Sequence, residues 1–290
     1  GIEGDVITTP FSFVATTSSL VTNGLNPIFA DIDAQTLNID PNIIENMITK
    51  STSAIVPVHV FSNACEIERI DAIAKQNNLK VIYDAAHSFN VKYKGASILN
   101  YGDISAISFH ATKVFHSIEG GALIINNDEL VEKARYLINF GIKNTEEIPE
   151  LGTNAKMNEF EAAMGLCVLN DIQELNKKRK KIYYLYLQEL EKYVTLQKMN
   201  SHSVQNHSYF PIILKNTKQL KRVEDSLKKE NIYARRYFYP SLDTLKYINP
   251  KQYCKISRDI SSKILCLPMY PELETINVKK ICKIIKNNLC

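Results

Sequence analysis

The chain has 290 residues, 45% of them hydrophobic and 23% charged, the proportions of a globular protein long enough for one large domain or two smaller ones. Ten Gly and ten Pro without any period exclude collagen-like and low-complexity chains, and no apolar run reaches the roughly eighteen residues of a membrane-spanning helix. The net charge of +4 is uneven, with six Lys and Arg against eleven Asp and Glu over residues 1–112 and 29 against 20 beyond; the densest basic run, Lys177 to Lys181, leads into Glu189 and Glu191 at helical spacing and reads as a solvated helix face, so no nucleic-acid partner is expected.

From the N-terminus, short apolar runs alternate with helical patterns. Val6-Ile7, Pro27 to Ala30, Ala54 to Val58, Lys80 to Asp84, Ile104 to Phe109 and Ala122 to Ile125 have the length and β-branched content of buried strands. Between them, Thr16 to Asn23, Asn42 to Ile48, and Ile67, Ile70, Ile73 and Ala74 at steps of three and four predict helices. This order predicts an α/β fold with a mostly parallel sheet.

The pattern changes after a loop at Gly152. Met157, Phe160, Met164, Cys167 and Val168 lie at helical spacing, and two long helices are predicted from about 156 to 194. Tyr209 to Leu214 then reads as a strand, Leu220, Val223 and Leu227 as a helix, Tyr233 to Tyr239 as a strand, and Val278, Ile281, Ile285 and Leu289 as a terminal helix. The expected organisation is a large domain over 1–194, connecting helices included, and a small α+β domain over 195–290.

The cysteines Cys65, Cys167, Cys254, Cys266, Cys282 and Cys290 form no C-x-x-C pair, so no metal site is expected. They are too sparse for a disulfide scaffold and read as reduced thiols. No basic start leads into an apolar stretch as a secretion signal would. A cytoplasmic location without membrane attachment is the expectation.

Two strand ends carry groups with chemistry. Asp84 closes an apolar strand and is followed by Ala85-Ala86-His87. A carboxylate there either faces the ligand crevice at the carboxyl edge of the sheet or caps a helix. Lys113 follows the strand ending in Ser108-Phe109 and precedes Glu119-Gly120-Gly121. A lysine among small and apolar residues either loses its proton readily and attacks a carbonyl, or sits in a surface loop. Together, an acid and a lysine 29 positions apart on separate strand ends are what a pyridoxal phosphate site requires.

With these blocks in view, the chain resembles the DegT/DnrJ/EryC1 family of sugar aminotransferases. The resemblance rests on Pro10-Phe11-Ser12-Phe13-Val14-Ala15-Thr16, Asp31-Ile32-Asp33, Asp84-Ala85-Ala86-His87, Ser108 to Lys113 with Glu119-Gly120-Gly121, and Gly152 to Glu159. It implies the fold of aspartate aminotransferase (fold type I) and pyridoxal 5'-phosphate as cofactor. By the same resemblance, Lys113 binds the aldehyde and Asp84 the pyridine nitrogen. Phe13 and Ala86 pack on the two ring faces, and Ser108 binds the phosphate. Asn154 reaches the phosphate of a neighbouring subunit, which implies a homodimer with shared active sites.

The family pattern has Gln where this chain has His87, and imidazole is expected to keep the role of bonding the ring hydroxyl. It has Arg where this chain has Lys156, which keeps the charge and loses the planar fork. The family pattern also places a segment with a Ser-Gly-Thr phosphate loop before the position of Gly1. The N-terminal part of the large domain is therefore expected to be missing here, or the cofactor site to be weakened. Substrate contacts are expected from His116 and from Arg235, Arg236 and Tyr237, with His59 a further candidate for the pocket wall.

The resemblance implies transfer of an amino group from glutamate to a nucleotide-linked keto-deoxy sugar, dTDP-4-keto-6-deoxyglucose, for surface polysaccharide. The alternatives are a 3-keto sugar nucleotide as acceptor, or a non-catalytic paralogue that only binds sugar nucleotide.

Overall fold

Strands and helices alternate through the first half as β1 (Asp5–Thr8), α1 (Val14–Thr22), β2 (Asn26–Phe29), α2 (Pro41–Met47), β3 (Thr52–Val56), α3 (Ile67–Gln76), β4 (Lys80–Asp84), β5 (Lys92–Tyr93), β6 (Ala96–Ser97), β7 (Ile104–Ser108), β8 (Gly121–Ile125) and α4 (Glu129–Leu137). The computed structural model describes residues 1–289. The main sheet has the order β2-β1-β3-β4-β7-β8. Its neighbours are parallel except β7 and β8, which pair antiparallel.

Successive side chains of a strand face opposite sides, and both sides are covered. Ile7, Ile55 and Val81 pack on Ile67, Ile70, Ile73 and Ala74 of α3. Val6, Ala54 and Val56 pack on Leu20 of α1 across the sheet. The β8 edge is barer. A cavity of about 620 Å³ lies between β8 and α4, and Leu123 and Ile138 on its wall are exposed.

A single 32-residue helix, α5 (Glu159–Leu190), stands where two were predicted. No Pro interrupts it, and its one glycine, Gly165, sits where a Cβ would come within 3.5 Å of the Ser117 side chain and 3.6 Å of that of Phe115. Its apolar pattern shifts because its two halves pack into different cores. Val168 and Ile172 join Val114 and Phe115, whereas Ile182, Tyr186 and Leu190 join the core of the C-terminal elements. The helix begins after Asn158. The Asn158 side chain accepts from the Glu161 N–H at 2.9 Å, and the Glu161 carboxylate accepts from the Asn158 N–H at 3.3 Å, a reciprocal cap.

After α5 come β9 (Thr195–Leu196), β10 (Ser203–Val204), β11 (Pro211–Ile213), α6 (Thr217–Lys228), α7 (Lys255–Lys263), β12 (Ile264–Cys266) and α8 (Thr275–Asn287). β9, β11 and β12 form an antiparallel sheet, and β10 pairs back onto β5. The strand expected over Tyr233 to Tyr239 does not form. Only Arg235 is extended against a neighbour, giving its N–H to the Cys266 carbonyl at 3.0 Å and accepting from the Cys266 N–H at 2.8 Å. Beyond it Phe238 turns into the interior, with ring centroids 5.5 Å from Phe11 and 5.4 Å from Phe61, and Pro240 has no N–H to extend a ladder.

Phe238 belongs to a core that joins both halves, in which Phe11, Ile32 and Val58 meet Ile213, Ile260 and Ile264. The five described cysteines are free thiols, and Cys290 lies outside the described residues. Among the described residues no helix is long and apolar enough to cross a membrane.

Candidate active site

β4 and β7 are parallel neighbours with Asp84 opposite Ala106. Asp84 and Ser108 therefore leave the sheet together at its carboxyl edge, where ligands of such sheets sit. The first turn of α1 stands over the same edge. Thr16 Oγ1 donates to Asp84 Oδ2 at 2.6 Å, and the Ala86 N–H donates to Oδ1 at 3.1 Å. The Ser12 hydroxyl lies 2.7 Å from that of Thr16. Because the Thr16 proton is committed to Asp84, Ser12 is the donor of that pair. Both oxygens of the carboxylate are thus held.

Lys113 sits in the loop that leaves β7 and returns as β8. Backbone bonds close this loop, from Phe109 N–H to Gly120 O at 2.8 Å, from Ser117 N–H to Phe109 O at 2.9 Å, and from Lys113 N–H to His110 O at 2.9 Å. Val114 and Phe115 anchor it in the core under α5, where Phe115 stacks on Phe89. Gly121 makes the return possible, since a Cβ there would lie 2.7 Å from the Ile107 carbonyl oxygen. Burial lowers the pKa of the Lys113 amine, and the Asp84 carboxylate partly opposes the shift.

A cavity of about 360 Å³ brings Asp84, Ala86, His87, Ser108 and Lys113 together with Phe13 from the start of α1, while Arg235 and Tyr237 reach it from the second half. His87 is buried, and its pKa is pushed well below the usual imidazole value by burial and then by the Lys113 charge. Its Nδ1 accepts from the Phe61 N–H at 3.3 Å. The neutral ring therefore carries its proton on Nε2 and can donate from there. The Ser108 hydroxyl accepts from the His110 N–H at 3.3 Å and keeps its own proton to give. Arg235 Nη1 donates to the Tyr237 hydroxyl at 2.8 Å.

Other expected site residues lie elsewhere. Arg236 is turned from the cavity, donating to the Ser262 carbonyl at 3.3 Å and stacking 3.8 Å over the Tyr239 ring. His116 is not on the wall, and its Nδ1 is buried without a partner among the described residues. His59 is a core residue. It stacks on Tyr83 and accepts from the Cys65 N–H at 3.2 Å, and burial takes its pKa down to about 3. Asn154 is exposed and absent from the wall, and its backbone bridges Asn139.

Sequence reasoning missed Thr16, Ser12 and Tyr209. The spacing of Ser12 and Thr16, one turn apart beside Phe13, was the available clue. Tyr209 lines the cavity from just before β11 and had none.

An amine of lowered basicity, a fixed carboxylate, an imidazole N–H and a free hydroxyl suit an aromatic ring with an aldehyde, a basic nitrogen and an anionic arm. The volume is that of a small-ligand site.

Residues 1–286 match the DegT/DnrJ/EryC1/StrS aminotransferase family. The chain is 45% identical, over 95% of its length and 77% of the relative's, to dTDP-4-amino-4,6-dideoxy-D-glucose transaminase of Shigella dysenteriae. It is 39% identical to the Escherichia coli protein of the same name, over 98% of its length and 79% of that protein's. Among solved structures, DesI crystallised in the presence of its TDP-sugar product superposes with a TM-score of 0.93 at 30% identity, over 99% of this chain and 75% of DesI.

Proposed function

The chain belongs to the DegT/DnrJ/EryC1/StrS aminotransferase family, and on that footing we propose that it moves an amino group from glutamate to dTDP-4-keto-6-deoxy-D-glucose, with pyridoxal 5'-phosphate as cofactor. The observation that carries this reading is the meeting of Lys113 and Asp84 in one cavity. The choice of sugar nucleotide is supported by the names of the two relatives at 45% and 39% identity.

Lys113 would hold the aldehyde, Asp84 the ring nitrogen, Phe13 and Ala86 the ring faces, His87 the ring hydroxyl and Ser108 the phosphate. When bound, the cofactor supplies an electrophilic carbon for amines and a ring that takes up the electrons left as a proton departs. Lys113 Nζ, made less basic by burial, would serve as the base that takes a proton from the donor's α-carbon and delivers it to the former aldehyde carbon, and that carries a proton the opposite way for the keto sugar. Asp84, a carboxylate held by Thr16 and the Ala86 N–H, stabilises positive charge at the ring nitrogen. His87 presents Nε2–H and stays uncharged, so it orients without adding charge beside Lys113. Arg235 and Tyr237 offer donors to the anionic part of the substrate.

The proposed assembly is a homodimer with shared sites. Asn154 lies in a stretch where Ile148, Leu151 and Phe160 are 69%, 96% and 87% exposed. A second copy covering this stretch would remove that apolar surface from water and bring Asn154 to the partner's cofactor phosphate.

The test is incubation with glutamate and a panel of keto-sugar nucleotides, with products identified by mass and NMR. Amination at C4 of the dTDP-linked 6-deoxyglucose is the expected result. Amination only of a 3-keto sugar would replace the substrate assignment. Binding of sugar nucleotides without turnover of any would make the protein a non-catalytic paralogue.

A further inference from the structure

We propose that Arg179 and Ser208 form an oxyanion subsite beside the reactive cavity, one that takes a carboxylate of the amino donor or the diphosphate of the nucleotide sugar; the identity of these anions rests on the function proposed above. A second cavity, of about 330 Å³, shares Thr112, Tyr209, Arg235 and Tyr237 with the reactive one. Thr112 is the neighbour of Lys113 in sequence, so an anion in this second cavity belongs to a molecule that can extend to the amine.

Arg179 reaches its wall from the middle of α5. One guanidinium nitrogen, Nη1, donates to the Met269 carbonyl at 2.9 Å. Nε is buried and has no acceptor among the described residues. Among the described residues no carboxylate lies within 4.0 Å of Arg179, and nearby Glu272 pairs instead with Lys178 at 3.8 Å. The Ser208 hydroxyl lines the same cavity and is likewise buried without a partner among the described residues. Arg235 brings a second guanidinium to the wall.

Two cations and two unfilled donors around a cavity whose lining contains no acidic residue are a costly arrangement for an empty site. An oxyanion resolves it, because a planar guanidinium offers paired donors to carboxylate and phosphate alike. The requirement is also chemical. Both substrates are anions, and the two half-reactions use one amine in turn, so each must be anchored at a fixed distance from Lys113.

The experiment measures binding rather than turnover. Calorimetric titration of the whole protein with glutarate, an unreactive dicarboxylate, and with thymidine diphosphate is compared among wild type, Arg179→Gln, Arg179→Lys and Ser208→Ala, with melting temperatures alongside. Arg179→Gln is expected to weaken at least one probe by about ten- to a hundredfold, and Ser208→Ala by about three- to tenfold. Arg179→Lys should recover part of the loss, which mere packing damage would not predict.

The probe that weakens identifies the source of the anion, and loss of both means that the two substrates use the subsite in succession. Affinities that stay within about twofold in a folded Arg179→Gln protein overturn the proposal. If that variant does not fold, the same result in Ser208→Ala overturns it, and so does a wild type that binds neither probe. A wild type that binds either probe through Arg179 but aminates no sugar nucleotide would sink the functional reading and leave the subsite standing.

Discussion

The Thr16 hydroxyl donates a 2.6 Å hydrogen bond to Oδ2 of Asp84, across 68 positions of sequence. The bond ties the first turn of α1 to the end of β4 and holds the carboxylate between two donors. Thr16→Val removes one of them while keeping the β-branched shape. A hydrogen bond to a charged group contributes about 1.5–3 kcal/mol. Fluorescence titration of cofactor-free protein should show retention of pyridoxal phosphate weakened by about tenfold or more, and Thr16→Ser should restore it. Equal affinity in Thr16→Val would contradict the role.

Lys113→Ala should abolish transamination and remove the absorbance of lysine-bound cofactor. Asp84→Asn should keep some cofactor yet lose most activity, because a neutral amide no longer favours a protonated ring nitrogen. Wild-type turnover in either variant would refute the assignment of that residue.

Burial lowers the Lys113 amine below the ordinary lysine value, and Asp84 partly opposes it. Between the folded and unfolded pKa values the unfolded chain binds more protons. The group therefore penalises folding fully below its folded pKa, and the penalty fades as pH rises towards the unfolded value. In cofactor-free protein an amine-selective reagent should label Lys113 at lower pH than it labels the lysine of a short unstructured peptide, as read by peptide mass spectrometry. Asp84→Asn should move the Lys113 midpoint lower still. An upward movement would show that the two charges are not coupled as described.

His59 is fully buried, with its pKa taken down to about 3. The unfolded chain takes up a proton near pH 6.5 that the folded protein refuses. Stability is therefore lost as pH falls below about 6.5, by about 2 kcal/mol at pH 5 from this residue alone. Urea unfolding at pH 7 and pH 5 measures the loss, and His59→Asn should reduce it by a similar amount. A variant with the same pH dependence as wild type would show that His59 titrates freely.

Mixing chains tests the shared site. Lys113→Ala and Asn154→Ala proteins should each be poorly active alone. Mixed dimers should recover part of the activity, because one of their two sites carries both intact residues. Sedimentation as a monomer at micromolar concentration, or no recovery in proven heterodimers, would rule the arrangement out.

Much of the α/β half was readable without coordinates. Strands such as Ala54 to Val58 and the helix at Ile67, Ile70 and Ile73 announce themselves through local periodicity, and the structure has β3 and α3 there. The break expected within residues 156 to 194 was wrong because a change of packing partner midway along α5 imitates a change of helix. The strand expected at Tyr233 to Tyr239 failed for a related reason. Phe238, with Tyr237 against it, serves a core shared with Phe11 and Phe61 rather than a ladder.

That Asp84 closes one strand and Lys113 follows another is written in the local apolar pattern, and a strand of a parallel sheet delivers its last residue to the carboxyl edge, where the chain leaving it also starts. What surrounds them comes from packing between distant segments. Thr16 beside Asp84, Tyr209 on the cavity wall, and Arg179 near Ser208 and Arg235 are pairings between distant segments. Arg235 and Arg236 are adjacent in sequence, yet one faces the site and the other the Ser262 carbonyl. Which side chain turns inward there depends on the bridge of Arg235 to Cys266, a contact across 31 residues that no local pattern encodes.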